Sequence, residues 1–254
     1  MTQLETAIKI INQANKFLVK KYRVFGVPAA RLKKNNEITT DVDIAANDLI
    51  IKKLKKYFPK EKIISEENKQ NKTAPDAWYI DPLDGTTNFA FGLRDFSVCL
   101  ARTKNNDVES GVVGVPMADE IFWAKKNSAA FLNGKKITVS KRKPTDTHLM
   151  ILFCGGHSPK GKKRLSLIIK KIENIKIHAR IFASAGLELS SVACGRADGC
   201  ALTEIHPWDV LAGIALVRSA GGKVTNFKGE EWKISDSTLI ASNGLIHKKL
   251  LNLV

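Results

Sequence analysis

The chain has 254 residues, 44% of them hydrophobic, enough for a substantial core in one large domain or two intimately packed ones. No run approaches the ~20 apolar residues of a membrane helix, the start MTQLETAIKIINQ lacks a signal-peptide pattern, and the cysteines (99, 154, 194 and 200) show neither CxxC nor zinc-like spacing, so a cytoplasmic protein with reduced packing cysteines is expected. A net charge of +16 suits nucleic acid or an anionic surface, but the lysine pairs 52–53, 55–56, 125–126, 135–136 and 162–163 form no basic tail, and a solvated cationic surface that draws in phosphorylated substrates is favoured over nucleic acid.

Leu4, Ile8, Ile11, Ala14 and Leu18 recur at helical spacing and predict an amphipathic first helix ending near Phe25-Gly26. Thr39-Thr40-Asp41-Val42-Asp43 opens a second helix whose buried face is Ile44, Ile50, Ile51 and Leu54; on spacing alone Asp43 reads as its cap. Ile63-Ile64 predicts a short strand leading into Glu66-Glu67-Asn68, a pair of acids that by itself reads as surface. Trp78-Tyr79-Ile80 predicts a buried strand, with Asp81 and Asp84 at its end and Gly85-Thr86-Thr87-Asn88 as a helix-start turn. From 96 to 139 the pattern has period two. Phe96–Thr103, Gly111–Pro116, Glu120–Lys125 and Ala130–Leu132 predict an antiparallel meander, with Asn133-Gly134 as a hairpin turn.

Lys141–Asp146 reads as a linker, dividing a 1–143 half from a 144–254 half in which strands and helices alternate. The second half should hold strands at Leu149–Cys154, Ile175–Ile181, Ala201–Thr203, Lys223–Asn226 and Leu239–Ser242. A turn is expected at Gly155–Pro159, and helices around Leu165–Ile172, Leu187–Cys194, Asp209–Ala220 and Ile246–Leu253.

The chemistry concentrates at 78–91, WYIDPLDGTTNFAF. Pro82 keeps the backbone out of helix and removes a donor, so Asp81 and Asp84 can turn toward one point. Paired carboxylates repel unless a hard cation such as Mg²⁺ offsets the repulsion. Gly85 lets backbone N–H groups approach an anion at a helix start. The same residues also serve as ordinary turn and cap residues, as Asp209 does before the apolar helix that follows His206-Pro207-Trp208. On spacing alone, Asp209 as a helix cap, His206 as a loop residue and Trp208 as core are the favoured readings.

The strings E-E after a strand, D-P-x-D-G-T-T-N-F, and P-W-D opening a helix that ends A-G-G resemble the inositol monophosphatase family in order and rough spacing. The resemblance runs essentially end to end, including T-D-V-D at Thr40–Asp43 and N-G-K at Asn133–Lys135. It implies a layered αβαβα sandwich with the site between its halves. It implies that Glu66, Asp81, Asp84 and Asp209, with the carbonyl of Leu83, ligate two or three Mg²⁺ ions, Asp81 bridging two. It further implies that Asp43, Thr86 and Glu66 position the attacking water, that backbone N–H groups at Gly85 and Thr86 hold the phosphate, and that Thr87 is a further substrate-binding residue. Glu188 would contact the substrate from the loop Ser184-Ala185-Gly186-Leu187-Glu188. The activity implied is hydrolysis of a small phosphomonoester such as inositol 1-phosphate, with Li⁺ sensitivity and a homodimer.

Rivals within the class are a 3′(2′),5′-bisphosphate nucleotidase and a sugar-bisphosphatase; outside it, an accessory factor of RNA transcription. The string T-T-N matches the inositol branch. Two positions depart from it: Leu202 stands where a ring-binding glutamate is usual, with Glu204 two residues out of register, and Leu187-Glu188 replaces smaller residues.

Overall fold

In the computed structural model, residues 2–24, 30–32, 38–67, 73–146, 148–155, 158–173 and 176–254 are described. Helix α1 (Gln3–Val24) starts at a reciprocal cap in which the Thr2 hydroxyl accepts from Glu5 N–H and the Glu5 carboxylate accepts from Thr2 N–H. Its expected end at Phe25-Gly26 lies outside the described residues. Strands β1 (Ala30–Leu32) and β2 (Ile38–Thr40) pair antiparallel, a ribbon not expected from the sequence. Helix α2 (Asp41–Tyr57) follows, and α1 and α2 pack Ile10, Ile11, Ala14, Leu18, Ile50 and Leu54 into one apolar cluster.

That cluster lies on one face of a seven-stranded sheet. Its strands run side by side in chain order: β3 (Ile63–Ser65), β4 (Ala77–Asp84), β5 (Ser97–Lys104), β6 (Asp107–Val115), β7 (Glu120–Lys125), β8 (Ala130–Leu132) and β9 (Lys135–Ile137). The expected antiparallel meander is present from β4 onward, whereas β3 and β4 are parallel. Strand β4 is buried along its whole length, as a continuous apolar run flanked on both faces should be. Between β4 and β5 lies the short helix α3 (Thr86–Ala90).

The second sheet has five strands: β10 (Leu149–Cys154), β11 (Ile177–Arg180), β12 (Gly199–Thr203), β13 (Lys223–Thr225) and β14 (Thr238–Ser242), in the spatial order β11-β10-β12-β14-β13. Parallel pairing joins β10 to both β11 and β12, and antiparallel pairing joins β14 to β12 and β13. Helices α4 (Pro159–Ile172) and α7 (His247–Leu251) cover one face through Ile168, Ile246 and Leu250. The expected turn residues Gly156 and His157, and Ile175 at the head of β11, lie outside the described residues.

Helices α5 (Ala185–Ala193) and α6 (Pro207–Ser219) touch both sheets and form the middle layer. Helix α6 is apolar on every side, the pattern of a helix with no solvent face. Gly111 on β6 permits its close approach, because a Cβ there would fall 2.5 Å from the carbonyl oxygen of Ala212. The order helix, sheet, helix, sheet, helix is the expected αβαβα sandwich. Asp198, fully buried, ties the segment between the sheets to the second one, accepting from the Ser140 hydroxyl, Arg142 Nε and the Met150 amide. Among the described residues no helix is long and apolar enough to cross a membrane.

Candidate active site

The strand β4 reaches further than the sequence predicts, running through Asp84 rather than stopping before Asp81. Asp81 pairs with Cys99 and Asp84 with Ser97, so Pro82-Leu83 adds one residue to β4 and the strand bulges between the two acids. The bulge re-aims both carboxylates. Glu66 follows β3, and its N–H donates to Ile80 O at 3.1 Å, which sets it beside Asp81. Asp209 arrives from the other half of the chain at the start of α6, its Oδ2 accepting from His206 N–H at 2.7 Å. His206 stacks on the buried Trp208 with ring centroids 4.7 Å apart.

Asp81 is buried, and its carboxyl is held well above the ordinary carboxylate range, first by desolvation and then by the negative charges of Glu66, Asp84 and Asp209. Three acids, two of them from other stretches of chain, therefore lie within electrostatic reach of Asp81. Among the described residues no three His, Cys, Asp or Glu side chains are drawn into a closed metal-binding cluster. The acids share a neighbourhood and a field.

Asp84 is held by four donors. Its Oδ2 accepts from the hydroxyls of Ser97 and Ser184, both at 2.6 Å, and from Gly186 N–H at 2.7 Å, while Oδ1 accepts from Ala185 N–H at 3.0 Å. Burial still raises its carboxyl above the usual range, against the pull of these donors. Three donors crowd Oδ2, and Oδ1, with one, retains acceptor capacity. Neither Ser97 nor the three donors at 184–186 were expected as partners of Asp84. The only sequence signal was the period-two pattern that puts Ser97 opposite Asp84 on β5.

Asp43 is not the cap of α2. Thr40 is: its hydroxyl accepts from Val42 and Asp43 N–H, and Asp43, three residues in, returns a bond by accepting from Thr40 N–H at 2.7 Å. That leaves Asp43 Oδ1 to face the Thr86 hydroxyl at 2.7 Å. The same hydroxyl lies 2.8 Å from the carbonyl of Leu83. One proton serves two acceptors, so one of them is always short of a donor from Thr86. Desolvation raises the Asp43 carboxyl, and hydrogen bonds from Thr40 and Thr86 oppose it.

Gly85 stands ahead of α3 at φ 89°, a conformation costly for residues with a Cβ. A Cβ there would also meet the carbonyl oxygens of Asp95 at 3.0 Å and Ala183 at 3.3 Å. Thr86 and Thr87 are the first residues of α3, whose N–H groups have no carbonyl partner within the helix.

Glu188 corrects an expectation. It was expected as a substrate contact, but it is 0% exposed, its Oε1 accepting from Phe182 N–H at 3.1 Å. Helical phase turns it inward with Ala185, Leu189 and Val192. Leu202 is likewise buried, paired with Cys154 and Leu239 on the central strand β12. Glu204 accepts from the Ser158 hydroxyl and from Ser158 N–H at 3.3 Å, at the start of α4.

A model of the inositol monophosphatase family matches residues 2–254. A fructose-1,6-bisphosphatase/inositol-1-monophosphatase of Thermotoga maritima is 35% identical over 255 residues, covering 100% of this chain and 96% of the relative. The Nus factor SuhB of Escherichia coli K12 is 34% identical, covering 98% of this chain and 94% of that one. Among solved structures, the Thermotoga maritima IMPase aligns with a TM-score of 0.89 at 33% identity, over 100% of this chain and 96% of the other. The extragenic suppressor protein suhB of Bartonella henselae aligns with a TM-score of 0.90 at 30% identity, over 98% and 96%.

Proposed function

The chain belongs to the inositol monophosphatase family, and on that premise we propose that it is a Mg²⁺-dependent phosphomonoesterase acting on a small phosphorylated alcohol such as myo-inositol 1-phosphate. The observation that carries this is Asp81, a buried carboxyl under the fields of three further acids. Such a cluster is costly to ionise alone and fits hard divalent cations with oxygen ligands. Glu66, Asp81, Asp84 and Asp209, with the Leu83 carbonyl, would hold two or three Mg²⁺ ions. Bound there, the ions would acidify a coordinated water and neutralise charge on the phosphate and leaving alcohol.

The chain's own groups supply positioning. With its proton given to Asp43, the Thr86 hydroxyl turns its lone pairs outward and can orient a water together with Glu66. N–H groups of Gly85, Thr86 and Thr87 would hold the phosphate oxygens at the start of α3. No serine or cysteine nucleophile is needed, because phosphoryl transfer depends chiefly on alignment and charge neutralisation.

The test is phosphate release from inositol 1-phosphate, adenosine 3′,5′-bisphosphate and fructose 1,6-bisphosphate, side by side with Mg²⁺ and with added Li⁺. Turnover of the first, inhibited by Li⁺, supports the reading. Turnover of the second or third alone would make the protein a bisphosphate nucleotidase or a sugar-bisphosphatase, and absence of all three from folded protein would refute the reading. We further propose a cytoplasmic homodimer, to be checked by light scattering; a monomer at micromolar concentration would overturn that part.

A second reading, an accessory factor in a transcription complex, is favoured by one observation. Helix α4 carries Lys160, Lys162, Lys163, Arg164, Lys170 and Lys171 with no acid among its residues. On that reading, salt-dependent RNA binding should survive Asp84→Asn and Asp209→Asn; binding that vanishes with those substitutions would reject it.

A further inference from the structure

Asn88 is not among the residues to which the reading above gives a task, yet it is buried and both protons of its amide are engaged. Its Nδ2 donates to the carbonyl oxygens of Asp95 and Phe182, each at 2.6 Å. An amide NH₂ has two protons, so both bonds form at once. The far partner, Phe182, is 94 residues away in sequence. It is also held from its other side, because its N–H donates to Glu188. Asn88 thus grips the carbonyl of Phe182 and Glu188 grips its amide.

Directly after Phe182 comes Ala183 at φ 54°, left-handed backbone that costs an L-residue on the order of 1 kcal/mol and persists only where neighbours enforce it. Ser184, Ala185 and Gly186 follow, and these three supply three of the four bonds to Asp84. The strained step at Ala183 is therefore what swings the start of α5 onto Asp84. The two grips on Phe182 lie immediately before that step. On the other side of the loop, Gly85 leaves only enough room for the Ala183 carbonyl. Helix α3 and the loop are pressed together at that point, and Asn88 is the hydrogen-bonded tie between them.

We propose that Asn88 is a positioning residue of this site: it clamps the 182–186 loop, with Glu188 as the second grip, so that the loop's donors converge on Asp84 and hold its Oδ1 toward the cations. This rests on the reading of Asp84 as a metal ligand given above.

The experiment compares wild type, Asn88→Leu and Glu188→Leu. Leucine is close in size to asparagine and leaves the Asp95 and Phe182 carbonyls without their donor. Amide hydrogen exchange on metal-free protein should show at least tenfold faster exchange at Ala185 and Gly186 in both variants, with β6 unchanged. Calorimetric titration with Mg²⁺ should show affinity weaker by ~10–100-fold, the range for partners that orient a ligand. Unchanged exchange at Ala185 and Gly186 would overturn the clamp, as would a uniform loss of protection extending to β6 and α6, which marks a purely structural role. The positioning claim would also fall if exchange rose at the loop and Mg²⁺ affinity did not change. Should wild type itself bind no Mg²⁺, the metal reading fails on that titration, while the exchange pattern still decides whether the clamp exists.

Discussion

Replacing Glu188 by glutamine should change how stability depends on pH. Burial, aided by the charge of Asp84 and opposed by the Phe182 amide, moves this carboxyl from 4.5 to about 8. Between those two values the folded protein keeps a proton on Glu188 that the unfolded chain releases. Stability is then fully present below pH 4.5 and is lost as pH rises through about 8. Each pH unit in the window is worth up to about 1.4 kcal/mol, so the whole span approaches about 5 kcal/mol. Glutamine does not titrate and keeps an acceptor for Phe182 N–H. The assay is urea unfolding of wild type and Glu188→Gln from pH 5 to 9, with chelator present so that cation binding does not enter. The gap in favour of the variant should be near zero at the acid end and open to several kcal/mol by pH 9. A gap that stays constant with pH would refute a neutral, buried Glu188.

His247 should behave in the opposite sense: buried between the hydroxyls of Thr225 and Ser242, its imidazole is lowered from 6.5 to about 4, so stability present above pH 6.5 is lost as pH falls through 4, by about 3 kcal/mol. An NMR titration of its ring protons with a midpoint near 6.5 would contradict this. Gly186→Ala should cost about 1–3 kcal/mol and most of the turnover, since the new methyl would fall 2.4 Å from Cys99 Sγ and 2.6 Å from Ser97 Oγ; wild-type melting and rate would show that the loop has slack. Asp84→Asn and Asp209→Asn should each lower phosphate release more than a hundredfold while leaving the circular dichroism spectrum unchanged, and full activity in both would remove these acids from the site.

Local pattern made most of this fold legible. The period of two from 96 to 139 located β5 to β8, apolar spacing located α1, α2 and α4, which bury one stripe, and a continuous apolar run located α6. The parallel pairing of β3 with β4 and the ribbon β1–β2 left no such mark. At the site, Asp81 and Asp84 stood out through the full string D-P-x-D-G-T-T-N-F after an apolar strand, since two acids at a strand end alone read equally well as turn residues. The environment of Asp84 did not, since its donors sit at 97 and at 184–186 and meet only through the sheet order and the placement of α5. Asp43 illustrates the same limit. Spacing shows an acid at a helix start, but not that Thr40 takes the cap and leaves one oxygen for Thr86. Glu188 was misplaced for a different reason: an acid beside a loop reads as a ligand contact, and only the helical phase of α5 shows that it points into the core.

Helix α6 has consequences for how the molecule can come apart. It carries Asp209 in its first turn and supplies apolar surface to the sheets above and below it, so neither slab has a complete interior without the other. A protein built this way has no quiet means of shedding one half. Any loosening wide enough to wet that helix also carries Asp209 away from Asp81, and activity and native architecture should disappear as one event.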